Sequence, residues 1–207
     1  MQREARDAVA TFLNEAKREA KRRPVEIEAA FGLSSGVGRQ HLCVDYRHFY
    51  RFFSAISEID DVRYSDATFT TDKIYPDSTR IRTNATGQSI AIKKTSLRKP
   101  LIVRLPRLWP HACLKLRASR EQRLPKMPAG KPLFVRSKTR ISFWLTRLAA
   151  FWRVDCTVVE QGDISMFEIE VELDHAAIKA AGSATTEEIV RQFAAVVDMV
   201  IVCMNKQ

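Results

Sequence analysis

Cysteine is scarce in this 207-residue chain: four residues, Cys43, Cys113, Cys156 and Cys203, stand far apart. They form no C-x-x-C pair and have no histidine at ligand spacing, which argues against a zinc site and against a disulfide framework. Reduced thiols in a reducing compartment, nuclear or cytoplasmic, are the expectation. Long apolar runs are also missing. The most apolar stretch, Phe193 to Met204, is too short to span a bilayer and contains Asp198. The N-terminus is charged throughout and lacks the apolar core of a signal peptide, so a soluble, non-secreted protein without a membrane partner is expected. No internal repeat or low-complexity tract is visible, and seven Gly and eight Pro leave an ordinary globular composition.

Two nucleotide and phosphate chemistries lack their parts. Ser34-Ser35-Gly36-Val37-Gly38-Arg39 has no Gly-Lys-Ser/Thr and no strand-loop-helix setting, which argues against a P-loop. Cys113 follows His111 only after Ala112, and Ser119 stands where a cysteine phosphatase needs its arginine. Acidic charge is in deficit: 24 Asp and Glu against 34 Lys and Arg give a net charge of +10. That balance points to a polyanionic partner such as nucleic acid or nucleotide phosphates.

What the chain does have is alternation. Phe167-Glu168-Ile169-Glu170-Val171-Glu172-Leu173 has the period of two that marks a strand, with three glutamates on one face and four apolar residues on the other. Like charges spaced about 7 Å apart on one face repel, so the face wants cations or bulk water. Val25 to Ala29 repeats the pattern with Glu26 and Glu28. Val135 to Phe143 is its basic counterpart, with Arg136, Lys138 and Arg140 on one face. Ser78 to Thr83 puts Arg80 and Arg82 together, a turn follows at 84–87, and Ser89 to Thr95 returns with Ile90 and Ile92 expected on one side and Lys93 on the other. Further strands are expected over 101–103, Cys113 to Glu121 and Phe151 to Val159, with a loop over 122–132.

Three helices complete the pattern. Residues 3 to 22 carry Ala8, Val9, Phe12, Leu13 and Ala16 on one side, and Pro24 ends them. Residues 45–58 place Tyr46, Phe49, Tyr50, Phe53 and Ile56 on a stripe expected to be core. Thr185 and Glu188 form a capping box for a last helix over 185–205.

A half-buried sheet with a solvated face would explain any one strand, but solvated faces mix their signs. Here two strands carry only glutamate and two only arginine and lysine. Sorted charge is explained by an α+β fold built on a closed antiparallel β-barrel of about eight strands with a polar interior and helices packed outside. The expected organisation is one domain, 1–207, with an N-terminal helix over 1–23, tunnel strands over 25–173 and the C-terminal helix. Carboxylate oxygens select hard cations, Mg²⁺ or Mn²⁺, over zinc.

With these motifs in this order, the chain resembles the metal-dependent RNA 5′-triphosphatases of fungi, protozoa and large DNA viruses, members of the triphosphate tunnel metalloenzymes that carry out the first step of mRNA capping. The resemblance runs from Val25 to Leu173. It implies that Glu26, Glu28, Glu170 and Glu172 are metal ligands, with Glu168 working beside them through water. It implies that Arg136, Lys138 and Arg140 grip the γ-phosphate, that Asp155 holds metal-bound water and that Arg153 meets an adjacent phosphate or carboxylate. Arg80, Arg82 and Lys93 would be further phosphate contacts, and Glu121 a carboxylate around the attacking water. Ala30 departs from the pattern, standing where a basic residue is common. Expected partners are 5′-triphosphate RNA, NTPs and an RNA guanylyltransferase. The rival readings are a tunnel enzyme acting on inorganic tripolyphosphate, on thiamine triphosphate or on ATP for cyclisation, and a non-catalytic RNA- or polyanion-binding module. Comparing phosphate release from RNA and from tripolyphosphate separates them.

Overall fold

The computed structural model describes residues 3–20, 25–33, 43–105, 112–174 and 184–206. In chain order the elements are α1 (Arg3–Ala20), β1 (Glu26–Leu33), α2 (Tyr46–Ser57), β2 (Val62–Tyr64), β3 (Thr68–Ile74), β4 (Thr79–Asn84), β5 (Ser89–Ser96), β6 (Leu101–Arg104), β7 (Ala112–Leu124), β8 (Phe134–Leu145), β9 (Trp152–Gln161), β10 (Ile164–Leu173) and α3 (Thr186–Asn205). The basic cluster 21–23, the turn-rich piece within 34–42 and the proline loop 106–111 lie outside the described residues.

Every strand pairing is antiparallel, and the sheet runs β1-β10-β9-β8-β3-β4-β5-β7 before β7 pairs back with β1. That last pairing, Glu26 opposite Ser119 through Leu33 opposite Ala112, closes an eight-stranded barrel. β6 and β2 are short additions beside β7 and β8. Closure removes every edge from the eight strands and forces one face of each inward. Asn84 sets the β4–β5 turn: its Oδ1 accepts hydrogen bonds from the Thr86 and Gln88 amides, and Gly87 takes a φ of 82°.

The apolar faces of β1, β7, β9 and β10 point outward and meet the helices. Ile27, Phe31, Leu114, Leu116, Trp152, Val154, Ile169 and Val171 are buried there with Leu13, Phe52, Ile56, Ile189, Phe193 and Val197. Trp152 stacks against Phe193 at 4.7 Å and its indole N–H donates to the Ile189 carbonyl at 3.0 Å. Thr185 caps α3 by accepting from the Glu188 amide at 3.1 Å, as its sequence predicts.

Two expectations need correction. The stripe on α2 is split: Phe49, Phe52, Ala55 and Ile56 are buried, but Tyr46 and Tyr50 are exposed. A tyrosine satisfies the apolar periodicity while its hydroxyl tolerates water, so periodicity alone assigned it to the core. Strand β3 has no counterpart among the expected elements. Its Thr68-Phe69-Thr70-Thr71-Asp72-Lys73-Ile74 is polar on both faces, which erases the alternation that marks a half-buried strand.

Candidate active site

The barrel interior is a polar cavity of about 290 Å³ whose lining is charged throughout. Register explains the sorting, because directly opposed residues of an antiparallel pair share a face. Glu28 opposes Glu172, Glu170 opposes Asp155, and Glu172 opposes Arg153, so β1, β10 and β9 form one acidic wall. Arg140, Lys138 and Arg136 oppose Thr68, Thr70 and Asp72, and Asp72 in turn opposes Arg82. β8, β3 and β4 thus form a largely basic wall.

The acids of the first wall are tied to cations. Lys94 Nζ lies 2.6 Å from Glu26 and 3.1 Å from Glu28. Arg140 reaches Asp155 at 2.9 Å and Glu170 at 3.3 Å, and donates to Thr157 Oγ1 at 3.0 Å. Arg153 bridges Asp155 at 2.9 Å and Glu172 at 2.6 Å. Asp155 is fully buried, with its oxygens taken by these two guanidiniums, so in the structure it orients arginines. Glu168 pairs with Lys138 at 3.4 Å. Glu121 lines the cavity opposite Lys94.

Burial and crowding leave marks on the titration of these groups. Burial pushes the Glu172 carboxyl up to about 7, with Asp155 adding to the rise and Arg153 opposing it. Glu28 is raised by burial first and by the Glu170 charge second. Burial works to raise Glu26 too, but Lys94 outweighs it and the net shift is downward. Lys138 and Arg80 are both lowered, chiefly by burial. Among the described residues, three buried polar atoms of the tunnel, Glu28 Oε1, Arg117 Nε and Arg136 Nε, have no hydrogen-bond partner. Glu28 Oε1 is 3.4 Å from an Arg117 amine, close enough for attraction without the geometry of a hydrogen bond.

Of the residues expected in the site, Glu26, Glu28, Arg80, Arg82, Glu121, Arg136, Lys138, Arg140, Arg153, Glu168, Glu170 and Glu172 all line this cavity. Lys93 does not. It is exposed on the outer face of β5, and Lys94 takes the inward position. Ile90 and Ile92 face inward with Lys94, opposite Arg82 and Arg80, so the apolar residues of β5 mark the interior here. The assumption that apolar means outward placed the wrong lysine. Arg117 and Asp72 were also missed as site residues. Asp72 is fully buried and holds Arg82 and Arg136 at 3.3 Å and Arg80 at 3.5 Å. The one signal that could have found it is a lone acid in a polar run preceding the Arg80 strand. Ala30 lies opposite Lys115 of β7, which puts a basic side chain on the same face beside the position where the sequence lacks one.

Among the described residues, eight basic side chains line the cavity against six acidic ones, and Asp72 and Asp155 bring the acids to eight. With every group ionised, such a balanced tunnel has no surplus positive charge for a polyphosphate. Among the described residues no three His, Cys, Asp or Glu side chains already converge as a metal cage. The donors nevertheless suit a hard cation: carboxylate oxygens of Glu26, Glu28, Glu170 and Glu172, two of them raised by burial, and one buried oxygen without a hydrogen bond. A divalent cation would satisfy that oxygen and tip the charge balance toward anion binding.

No protein-family model and no curated protein matches the sequence. Solved structures do match. The chain is similar to the S. pombe Pct1 RNA triphosphatase, with a TM-score of 0.75 at 18% identity, covering 100% of this chain and 94% of that one. Pct1 in complex with the Spt5 CTD matches at 0.74 and 17%, covering 100% and 95%. The Mimivirus capping enzyme triphosphatase matches at 0.52 and 13%, covering 98% and 99%. The closed eight-stranded barrel is the fold that this chain shares with the Pct1 structures.

Proposed function

We propose that this chain is a metal-dependent RNA 5′-triphosphatase, which hydrolyses the γ-phosphate from a triphosphate RNA end to leave a diphosphate end and inorganic phosphate, the first step of cap formation. The observation that carries the reading is the tunnel itself: an acidic wall with an unsatisfied buried carboxylate oxygen faces a basic wall whose arginines converge on the same cavity. A module that only bound polyanions would gain nothing from the acids.

In this reading Glu26, Glu28, Glu170 and Glu172 hold Mg²⁺ or Mn²⁺. When bound, the metal supplies Lewis-acid polarisation of a phosphoryl oxygen and the positive charge that the balanced tunnel lacks. Arg136, Lys138 and Arg140 bind the γ-phosphate, and Arg80 and Arg82 add to the grip with Lys94 and Arg117 beyond them. Phosphoryl transfer spreads charge over the equatorial oxygens, so fixed guanidiniums aimed at them stabilise the transition state more than the ground state. Asp72 and Asp155 keep those guanidiniums in place before substrate arrives, so little reorganisation is left for the chemical step. Glu168 or Glu121 orients the attacking water. Arg153, held by Asp155 and Glu172, neutralises an adjacent phosphate.

The partners that go with this reading are 5′-triphosphate RNA, NTPs as small substrates in the presence of Mn²⁺, and an RNA guanylyltransferase that takes the diphosphate end onward, in the nucleus or cytoplasm. The test is phosphate release from γ-labelled triphosphate RNA with Mg²⁺ or Mn²⁺ and with EDTA. Metal-dependent release from RNA is the expected result. Turnover of tripolyphosphate with none of RNA would move the substrate to a small polyphosphate, and metal-independent RNA binding without any release would reduce the protein to a binder.

A further inference from the structure

Two tryptophans, Trp144 and Trp152, stand on neighbouring strands and are used differently. Trp152 is sealed in the core, with its ring against Phe193 and its N–H satisfied. Trp144 lies on the other face. Its partner across β8 and β9 is Arg153, a tunnel-lining residue, so the indole stands at one end of the tunnel, not among the helices. It is half-buried and stacks on no aromatic ring among the described residues. Trp144 borders a separate cavity of about 370 Å³, shared with Arg63, Thr146, Ala149 and Asp174. Arg63 is directly across β2 and β8 from Trp144 and is exposed.

A tunnel that handled only phosphate would have no use for this surface, because the side chains lining the cavity are charged. A half-buried indole beside an exposed guanidinium, both on one cavity, is the chemistry of a nucleobase site. Bases stack on aromatic and guanidinium planes. The position also suits the substrate's own order of groups. Moving inward along β8 from Trp144, the same face presents Ser142, Arg140, Lys138 and Arg136, so a nucleoside at the indole has its phosphates running into the basic wall.

We infer that the Trp144 cavity is the subsite for the first nucleoside of the substrate, so that the triphosphate enters past Arg153 with its γ-phosphate deepest, toward Lys138 and Arg136. The inference rests on the triphosphatase reading of the tunnel and adds to it the direction of entry and the residues that distinguish a nucleotide from a bare polyphosphate.

The experiment measures kcat/KM on a 5′-triphosphate dinucleotide and on inorganic tripolyphosphate, for the wild type and for Trp144→Ala, Trp144→Phe and Arg63→Ala. Loss of one base–indole stack lowers the nucleotide value roughly tenfold or more in Trp144→Ala, mainly through KM, while the tripolyphosphate value stays within about twofold. Trp144→Phe recovers most of the loss, and Arg63→Ala shows a smaller selective fall. An equal fall on both substrates in Trp144→Phe and Arg63→Ala, or no change on either in Trp144→Ala, overturns the inference; the latter would put the nucleoside at the opposite mouth. If Trp144→Ala loses both activities, the selectivity of Arg63→Ala decides. A wild type that hydrolyses neither substrate sinks the triphosphatase reading itself, which is a separate and recognisable failure.

Discussion

The two halves of the barrel are supported in opposite ways. The acidic half, β1, β10 and β9 with the first part of β7, is clad by α1, α2 and α3, and its outward side chains are the hydrophobic core of the protein. Of the basic half, β3, β4 and β5 contribute nothing to that core, and β8, which joins the two halves, contributes only Phe143 and Leu145, with Ile141 packed against it. The outer face of this half carries the exposed Phe69, Lys73 and Lys93, and its interior is organised by one fully buried carboxylate, Asp72, shared among three arginines. Apolar cladding lowers the local dielectric behind the glutamates, which raises the cost of leaving their charges unpaired and strengthens their pull on a cation. The arginines of the basic side are held from within by Asp72, where the glutamates are backed from without by helices. One half is fixed from outside, the other from inside.

The sharpest way to break that comparison is to remove a single acid from the clad half. Glu28→Ala or Glu170→Ala is expected to lower phosphate release at least about a hundredfold while the fold survives, because each deletes a carboxylate from the candidate metal site without touching the core. Far-ultraviolet circular dichroism checks the fold, and thermal melts with and without Mn²⁺ check the site. The wild type should melt higher with the metal, and either mutant should lose most of that gain. Wild-type-like turnover in either mutant would remove these residues from the mechanism.

Core truncation comes next in size. Trp152→Ala removes a buried ring and its hydrogen bond behind the acidic wall and should destabilise by about 3–5 kcal/mol in urea melts. Phe69→Ala, on the outside of the bare half and 55% exposed, should stay within about 0.5 kcal/mol. If the two values came out alike, the division into clad and bare halves would have no energetic content.

Asp72 tests the bare half from inside. Removing it leaves Arg80, Arg82 and Arg136 without their common counter-charge, and breaking such a buried cluster costs about 3 kcal/mol. The loss in Asp72→Ala should shrink when inorganic tripolyphosphate is added to the melt, since the anion replaces the missing carboxylate. A loss that tripolyphosphate leaves unchanged would mean Asp72 supports the sheet and not the arginines.

The same division governs how much the sequence revealed. On the clad half, one face of each strand must be apolar for the helices and the other polar for the tunnel, so the alternation of Phe167 to Leu173 and Val25 to Ala29 exposed both the strands and the inward glutamates. On the bare half neither face is committed to a core. β3 was invisible with its Asp72, and on β5 the apolar Ile90 and Ile92 proved to face inward, which exchanged Lys93 for Lys94. Periodicity locates a side chain only where burial enforces it. The tyrosines of α2 show the converse: Tyr46 and Tyr50 keep the helical period but lie outside the core.

A loss smaller than that of Trp152 or Asp72 is expected at the start of α2, where the clad half is closed off. Asp45 caps this helix, its Oδ1 accepting from the His48 amide at 3.0 Å and its other oxygen pairing with the His48 ring. The preceding residue, Val44, bridges to Phe167 next to Glu168, so the cap fixes the helix at the point where it touches the acidic strand. Burial works to raise the Asp45 carboxyl, but the bonds from His48 outweigh it and hold it below its ordinary value of 3.8. A carboxyl lowered in the folded state binds its proton more weakly there than in the unfolded chain. Its contribution is therefore complete above the unfolded value and is lost as the pH falls through the folded one. Asp45→Ala should destabilise by about 1 kcal/mol at pH 7, with the gap to the wild type closing only below about pH 4. A gap that persisted unchanged in strong acid would show that the side chain acts by shape and not as an ionised cap.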